Sequence, residues 1–170
     1  MLYTTHPSPL GELLIAGPRP DTLASVTVPG QRGGARIGPG WRRDDAAFAR
    51  ATEQFDAYFA GELREFDLTL AAEGTPFRRR VWEQLDRIPY GTTITYGTLT
   101  RLAGLPPTAV RAVGGAVGAN PLSVVRPCHR VVGADGSLTG YAGGLSRKRQ
   151  LLALEGALPA LEGTLFAALG

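Results

Sequence analysis

The chain has 170 residues, of which 44% are hydrophobic and 19% are charged, so it can bury a core and has neither a disordered nor a low-complexity composition. Its single cysteine excludes an internal disulfide and a multi-cysteine metal site, and no apolar run approaches the roughly 20 residues of a membrane helix. Residues 1–76 carry 7 Arg against 10 acidic residues, a net charge of −3, whereas residues 77–170 carry 11 basic against 5 acidic residues, a net charge of +6.

This charge asymmetry has two interpretations. A basic second half is typical of a surface that faces a polyanion such as nucleic acid. The alternative is an ordinary solvated surface in an arginine-rich chain, and charge alone leaves both open. The N-terminus has no basic region followed by an apolar core, so we expect no secretory signal and a cytoplasmic protein.

The first part of the chain is predicted to form a small sheet with one helix. Short apolar or β-branched runs bounded by Pro, Gly and Asp predict three strands, at Leu2–Thr5, Leu13–Ala16 and Leu23–Val28. Residues 29–40, which hold five Gly and two Pro, predict a flexible surface loop. Apolar residues at three- and four-residue spacing predict a helix over about residues 45–60, and alternation over 66–70 predicts another strand.

The pattern becomes helical after Gly74-Thr75-Pro76, which predicts a domain of residues 1–73 followed by a domain of residues 74–170. Three helices are predicted in the second domain, over 77–88, Thr98–Ala103 and Thr108–Ala119. The last two are short and are joined by a tight turn at Leu105-Pro106-Pro107, as in a helix-turn-helix. The expected fold class is α+β: a small N-terminal α/β sheet domain, then a mostly helical domain.

The third helix of this domain has an unusual composition. Its predicted apolar stripe consists of Val110, Val113 and Val117. Another face carries Arg111, Gly115 and Gly118, and two adjacent glycines, Gly114 and Gly115, should each cost about 1 kcal/mol relative to Ala. The glycines allow either close packing against another helix or close approach of the backbone to DNA, with Arg111 as the one long side chain on that face.

The only cysteine lies in the run Pro127-Cys128-His129-Arg130. A lone cysteine is usually a small buried hydrophobe. A thiol reacts as the thiolate, however, and a neighbouring histidine or cation lowers its pKa. His129 and Arg130 therefore make Cys128 a candidate nucleophile, and Glu155 is a candidate for the carboxylate that orients the imidazole.

Many short motifs between Gly74 and Glu155 occur in an order that resembles one family, the O6-alkylguanine-DNA alkyltransferases. The matching stretches are Gly-Thr-Pro-Phe at 74–77, Val81-Trp82, Ile88-Pro89-Tyr90-Gly91, Tyr96-Gly97, Arg111-Ala112-Val113-Gly114, Asn120-Pro121, Pro-Cys-His-Arg-Val-Val at 127–132, Gly140-Tyr141-Ala142-Gly143-Gly144-Leu145, Lys148, Leu151-Leu152 and Glu155. The resemblance implies repair of duplex DNA by direct, single-turnover transfer of the alkyl group of O6-alkylguanine to the protein.

The resemblance also implies a role for each matching catalytic residue. Cys128 matches the alkyl acceptor, and His129 matches the base that takes the thiol proton through a water. Glu155 matches the carboxylate that orients this base, and Asn120 matches a residue that holds the helix turn against the active-site segment. Tyr96 matches the hydroxyl that hydrogen-bonds the guanine oxygen as it leaves.

The remaining implied roles concern DNA and the base. Arg111 matches the finger that fills the stack after the damaged nucleotide is flipped out, and the face with Gly114 and Gly115 is expected to enter the minor groove. The walls of the base pocket are expected to be Val131, Val132, Tyr141, Ala142, Gly143 and Lys148. Arg126 stands where the family commonly has an apolar residue, so we expect it either to contact a phosphate or to alter local packing.

Two other classes of protein remain open at this point. One is a binding protein without catalysis, either an alkyltransferase-like damage sensor, which would lack the acceptor cysteine, or a helix-turn-helix regulator. The other is a thiol hydrolase that uses Cys128, His129 and Glu155 and turns over. Some relatives bind zinc through cysteines of the first domain that this chain lacks, so we expect no metal. We also expect no cofactor, since the sequence has no cofactor motif, and a monomer, since nothing in the sequence requires a larger assembly.

Overall fold

The first part of the chain is built around a small sheet. The computed structural model describes residues 1–158, and its first six strands are β1 (Leu2–His6), β2 (Leu13–Gly17), β3 (Thr22–Leu23), β4 (Ser25–Thr27), β5 (Arg42–Arg43) and β6 (Thr69–Leu70). Four of them form a sheet in the order β4-β2-β1-β5, in which only β5 is parallel to its neighbour. The chain turns from β1 to β2 at Ser8–Gly11, where Gly11 has a φ of +105°, a conformation that favours glycine.

Two predicted strands differ from the observed ones. The run Leu23–Val28 is not one strand, because β3 pairs in parallel with β6 whereas β4 pairs with β2. The alternation over residues 66–70 gives only the two-residue β6, because Phe66 packs against the rings of Phe55 and Tyr58 in the preceding helix rather than extending a sheet. Side-chain packing therefore overrides the period-2 pattern here.

The helix of the first part, α1, spans Ala49–Phe59 and follows a 3₁₀ turn at Ala46–Phe48. The carboxylate of Asp44 accepts a hydrogen bond from the backbone N–H of Ala47 at 3.1 Å, which satisfies one free donor at the start of this turn. Phe55 and Tyr58 are fully buried on its inner face.

The second part of the described chain is mostly helical. Its elements are α2 (Pro76–Leu85), β7 (Ile94–Thr95), α3 (Tyr96–Leu102), α4 (Val110–Gly118), β8 (Val131–Val132) and α5 (Leu145–Leu154). The side-chain oxygens of Thr75 and Thr95 accept hydrogen bonds from backbone N–H groups at the starts of α2 and α3. This arrangement confirms the expected α+β class. None of the helices within residues 1–158 is long and apolar enough to cross a membrane.

The buried face of α4 differs from the predicted one. Val113, Ala116 and Val117 are buried, whereas Val110, expected in the apolar stripe, is 37% exposed. The reason is that the helical part before Val110 is a 3₁₀ turn, Pro107–Ala109, which rotates the start of α4 away from the core. α3 and α4 pack against each other, and their identity as a helix-turn-helix stays a prediction.

The two predicted domains share one hydrophobic core and are joined by backbone hydrogen bonds. The backbone N–H of Val26 in β4 donates to the carbonyl of Pro121 at 2.9 Å, and Ser123 donates back to the carbonyl of Val26 at 3.2 Å. The open edge of the first sheet is thereby continued by the segment that leads to Cys128. The boundary between residues 73 and 74 stays a prediction.

Trp82 in α2 fixes the position of α4. Its indole N–H donates to the carbonyl of Ala116 at 2.9 Å, and this carbonyl lies in the last turn of α4, where backbone acceptors have no partner within the helix. We expect Trp82→Phe to lower the free energy of unfolding by about 1–3 kcal/mol, because it leaves this buried acceptor unsatisfied. Urea unfolding measures the loss. Trp41→Phe is the matched control, since the Trp41 indole makes no hydrogen bond within residues 1–158; equal losses in both variants would contradict the assignment.

Candidate active site

Asn120 organises the segment that carries the cysteine. Its side-chain amide donates to the carbonyls of Leu122 and Arg126, at 3.4 and 3.2 Å, and to Sγ of Cys128 at 3.3 Å. Its carbonyl oxygen accepts from the backbone N–H of Leu122 at 3.0 Å. One buried side chain thus binds both ends of the 121–127 loop and touches the sulfur. The loop includes Val124 at a φ of +73°, a conformation rare for β-branched residues that such surroundings can enforce.

Cys128 is nearly buried, with 7% of its surface exposed, in a 3₁₀ turn spanning Cys128–Arg130. Burial raises the pKa of the Cys128 thiol, although the hydrogen bond from Asn120 and the charge of Lys148 act in the opposite direction. The expectation that neighbouring cations give this thiol a lowered pKa is therefore wrong for the free protein. The resting sulfur is a neutral thiol, and reaction requires a base.

His129 has the properties of that base. It is fully buried, and its Nε2 lies 2.8 Å from Oε2 of Glu155. Since an ionised carboxylate only accepts hydrogen bonds, Nε2 carries the proton and Nδ1 has a free lone pair. Burial lowers the pKa of His129, although Glu155 opposes this, so the imidazole is neutral at neutral pH. Nδ1 is buried and has no hydrogen-bond partner within residues 1–158.

Glu155 is a buried carboxylate that accepts hydrogen bonds from three side chains. His129 donates to Oε2, and Arg130 donates from Nε to Oε1 at 2.7 Å and from Nη2 to Oε2 at 3.0 Å. The hydroxyl of Tyr58 donates to Oε2 at 2.5 Å. Burial raises the pKa of Glu155, but the hydrogen bonds from His129 and Arg130 outweigh it and bring this pKa to about 2. Glu155 is therefore ionised at neutral pH.

A cavity of about 190 Å³ opens onto the sulfur. Its lining brings together several residues singled out in the sequence, namely Cys128, Asn120, Tyr96, Gly114, Tyr141 and Ala142. The hydroxyl of Tyr96 donates to the carbonyl of Thr139 at 3.2 Å. The buried hydroxyl of Tyr141 makes no hydrogen bond within the described residues. The cavity thus has apolar walls and two tyrosines, features of a site for a planar, partly polar ligand.

Four other residues expected in the pocket lie behind this lining. Val131 and Val132 are buried in β8, which pairs in parallel with β7. Lys148 is fully buried, and its ammonium donates to the carbonyls of Val131, Thr139 and Gly140 at 2.6, 2.9 and 3.2 Å. Burial lowers the pKa of Lys148 to about 8. These residues support the pocket wall from behind.

Gly143 is the fourth of these residues, and its lack of a side chain is required by packing. A Cβ atom at Gly143 would lie 2.9 Å from the ring of Tyr141 and 2.9 Å from a methyl group of Val28. This glycine therefore permits the loop after Gly140 to approach the first sheet.

Arg126 does not lie with the expected DNA-contacting residues. It is 7% exposed, its Nε donates to Oδ1 of Asp86 at 3.0 Å, and its guanidinium lies 4.9 Å from the centroid of the Trp82 ring. A guanidinium engaged in this way is not presented to an external phosphate. Of the two expectations for Arg126, the altered packing is the one that fits the structure.

The exposed face of α4 indicates why this helix contains glycines. Arg111 is exposed, and a Cβ atom added to Gly115 or Gly118 would meet no atom within 4 Å. At Gly114 an added Cβ would make only an ordinary contact, 4.0 Å from the Tyr96 ring. Close packing within the protein therefore does not require the glycines at 115 and 118. The remaining interpretation is a surface kept flat for an external partner.

Three residues of the site are not among those predicted from the sequence. Tyr58 falls among the apolar residues of α1, although its hydroxyl reaches Glu155. Gln31 accepts a hydrogen bond from the Ser123 hydroxyl at 2.9 Å, and Arg32 donates its backbone N–H to the carbonyl of Ala142 at 3.0 Å and lines the cavity. The glycine-rich loop of residues 29–40, expected to be flexible surface, thus forms one wall of the site.

Known proteins share this architecture. Residues 1–72 match the family model described as 6-O-methylguanine DNA methyltransferase, ribonuclease-like domain, and residues 76–157 match the one described as 6-O-methylguanine DNA methyltransferase, DNA binding domain. The methylated-DNA–protein-cysteine methyltransferase of Mycolicibacterium paratuberculosis is 51% identical over 153 residues, which is 90% of this chain and 91% of that protein. The protein of the same name from Methanosarcina acetivorans is 46% identical over 92% of this chain and 99% of its own length.

A solved structure extends the similarity to three dimensions. The crystal structure of Mycobacterium tuberculosis OGT in complex with DNA has a TM-score of 0.85 and 46% sequence identity to this chain, and the match covers 92% of this chain and 94% of that one.

The acid stability of the protein should depend on Glu155. Its folded pKa of about 2 lies below its ordinary value of 4.5, so its stabilising contribution is present above pH 4.5 and is lost as the pH falls towards 2. We expect Glu155→Gln to cost about 3–5 kcal/mol at neutral pH, because Arg130 is left without its buried partner. Urea unfolding between pH 7 and pH 3 should show the gap between the two proteins narrowing below pH 4.5. A gap independent of pH would contradict the ionised buried carboxylate.

Proposed function

The chain belongs to the 6-O-methylguanine DNA methyltransferase family, and on that basis we propose that it repairs O6-alkylguanine in duplex DNA by moving the alkyl group, once and irreversibly, onto Cys128. The resemblance seen in the motifs is thereby confirmed. The observation that carries the proposal is the Cys128–His129–Glu155 triad. Its thiol is neutral and lies at a cavity, and its imidazole is neutral and buried. The imidazole bonds the carboxylate through Nε2, so Nδ1 is free to accept a proton.

The chemistry balances without a cofactor. The thiol proton of Cys128 passes to Nδ1 of His129 through a water, and Glu155 stabilises the resulting imidazolium. The thiolate attacks the alkyl carbon, so that the sulfur–carbon bond forms as the bond from carbon to the guanine oxygen breaks. Guanine keeps the electron pair of that bond and takes up a proton. The products are an S-alkylcysteine and an unmodified guanine.

Tyr96 assists the departing base. Its hydroxyl lines the cavity and donates to the Thr139 carbonyl in the free protein. When a base occupies the cavity, this hydroxyl turns towards the guanine oxygen and donates a hydrogen bond to it. A donor to the developing negative charge lowers the barrier to departure.

The raised pKa of Cys128 fits this mechanism. A thiol kept neutral at rest is a weak nucleophile towards solutes in general, since only the thiolate reacts. Proton transfer to His129 becomes favourable only when a base lies in the cavity, because the charge on sulfur is then consumed as the new bond forms. The buried triad therefore restricts reaction to a base held in the cavity.

The face of α4 with Arg111, Gly115 and Gly118 is the proposed DNA surface. The alkyl group lies inside the duplex, so the nucleotide must be extruded, at a cost of a few kcal/mol. A flat helix face in the minor groove with one inserted side chain, that of Arg111, offsets this cost. Gly114 and Gly118 on the same helix also line the cavity, so a base leaving the stack enters directly. The proposed active species is a monomer.

Stoichiometry tests the proposed function. A thioether on Cys128 is not hydrolysed at neutral pH, because a thiolate is a poor leaving group from an unactivated carbon, and the chain has no second cysteine. Excess duplex containing O6-methylguanine should therefore give one added methyl group per protein, located on Cys128 by mass analysis of its peptide, with intact guanine restored. Cys128→Ser should transfer nothing while it still binds duplex. Several turnovers per chain would instead support the hydrolase.

Gly115→Ala should separate folding from DNA recognition. An added methyl group meets no atom of the protein within 4 Å, and Ala is favoured over Gly in a helix by about 1 kcal/mol, so the variant should unfold at higher urea concentration. The same methyl group should weaken duplex binding and slow duplex repair, while reaction with a free O6-alkylguanine base stays unchanged. Arg111→Ala is the comparison: it should slow duplex repair without the gain in stability. Unchanged duplex binding by Gly115→Ala would contradict the proposed DNA surface.

A further inference from the structure

The catalytic carboxylate receives a hydrogen bond from the other part of the molecule. Tyr58 lies in α1, 97 residues before Glu155 in the chain, and its hydroxyl donates to Oε2 at 2.5 Å. The side chain is 1% exposed, and burial raises the pKa of Tyr58, as does the nearby charge of Glu155. Tyr58 therefore stays protonated and acts as a permanent donor.

Three donors converge on the same oxygen atom. Oε2 of Glu155 accepts from Tyr58 at 2.5 Å, from Nε2 of His129 at 2.8 Å and from Nη2 of Arg130. A carboxylate oxygen has two lone pairs, so three donors share its electron density. The hydrogen bond to His129 is accordingly weaker than it would be if His129 had this oxygen to itself.

Packing alone does not require the hydroxyl. The ring of Tyr58 lies 5.2 Å from that of Phe59, 5.1 Å from that of Phe66 and 6.4 Å from that of Tyr90. A phenylalanine at position 58 would make the same ring contacts. These neighbours do fix the ring, however, so the hydroxyl is held at one point beside Glu155.

We propose that Tyr58 is a positioning residue that holds Glu155 in place and withdraws part of its charge from His129, so that the N-terminal domain sets how strongly His129 binds a proton. This inference rests on the proposed function, in which His129 takes the proton of Cys128. Without the Tyr58 hydroxyl, the charge of Glu155 concentrates on His129. The imidazole then becomes protonated at a higher pH, and the protonated form cannot act as the base.

The groups around this oxygen come from several elements, and most of them keep their positions when the hydroxyl alone is removed. The titratable and charged groups that face Glu155, His129 or Tyr58 are Arg130 and Cys128 from the 3₁₀ turn, Lys148 from α5, and Tyr90 and Tyr141 from loops. Arg130 is the strongest competitor for the carboxylate, since it donates to both oxygens. It is present in every variant below, so changes between variants report on Tyr58.

The test compares single-turnover rates across pH for the wild-type chain and Tyr58→Phe, with protein in excess over a short duplex containing O6-methylguanine. The wild-type rate should rise with pH as His129 loses its proton and then reach a plateau. In Tyr58→Phe the rising limb should move to higher pH, and the rate at neutral pH should fall by about tenfold, the scale of one hydrogen bond. The final yield should remain one methyl group on Cys128.

Thr4→Val is the matched control. The hydroxyl of Thr4 is also buried and donates to a carboxylate in the N-terminal domain, Oδ1 of Asp45, at 2.7 Å. Both variants lose one such hydrogen bond, but only Tyr58→Phe should move the pH limb. Equal behaviour of the two variants would show that Tyr58 serves stability alone and would overturn the inference.

A second substitution keeps the test independent of folding. Tyr58 replaced by 3-fluorotyrosine retains the hydroxyl and makes it a stronger donor, so the rising limb should move to lower pH, opposite to Tyr58→Phe. An unchanged limb in the fluorinated protein would overturn the inference even if Tyr58→Phe failed to fold. If the wild-type chain itself formed no adduct on Cys128, the proposed function would fail instead, and the two failures are thus distinguishable.

Discussion

The structure of the site depends on the burial of one carboxylate. An isolated carboxylate inside a protein is strongly destabilising unless donors surround it, and Glu155 obtains them from His129, Arg130 and Tyr58. Each donor is therefore fixed in orientation by the same requirement. The imidazole presents its free nitrogen away from the carboxylate, Arg130 ties the cysteine turn to the carbonyl of Ile88, and α1 is held against the helical part of the molecule. Removal of the charge of Glu155 would leave His129, Arg130 and Tyr58 without the contact that orients them.

Helix α4 shows how a short element serves several surfaces at once. Val113 and Ala116 are buried, Gly114 and Gly118 line the cavity, and Arg111 and Gly115 are exposed. Gly114 and Gly118 leave the cavity open, and Gly115 keeps the exposed face flat beside Arg111. The loss of helix propensity at these positions is offset by contacts such as the indole hydrogen bond to Ala116.

Sequence reasoning succeeds where the site is encoded locally. The run Pro127–Arg130 places a nucleophile and a base in one turn, and the small residues of α4 are visible at helical spacing. It fails where the partner is remote in the chain: nothing near Tyr58 or Gln31 indicates the contact with Glu155 or Ser123. It also fails where burial reverses an expectation. The neighbours of Cys128 predict a lowered thiol pKa, but burial raises this pKa instead. The charge of Arg126 predicts a contact with DNA, but its guanidinium is engaged by Asp86 and by the ring of Trp82.

The buried amine of Lys148 can report on the opening of the loop that covers it. Lys148 is the only lysine in the chain, and its ammonium is fully buried beneath the pocket loop, where burial lowers its pKa to about 8. Amine-directed reagents should therefore leave Lys148 unmodified while the protein is folded. Acylation of Lys148 requires the loop at Thr139 and Gly140 to open, so the acylation rate measures how often this loop opens. A reagent chosen for labelling thus doubles as a reporter of local unfolding beside the reactive sulfur.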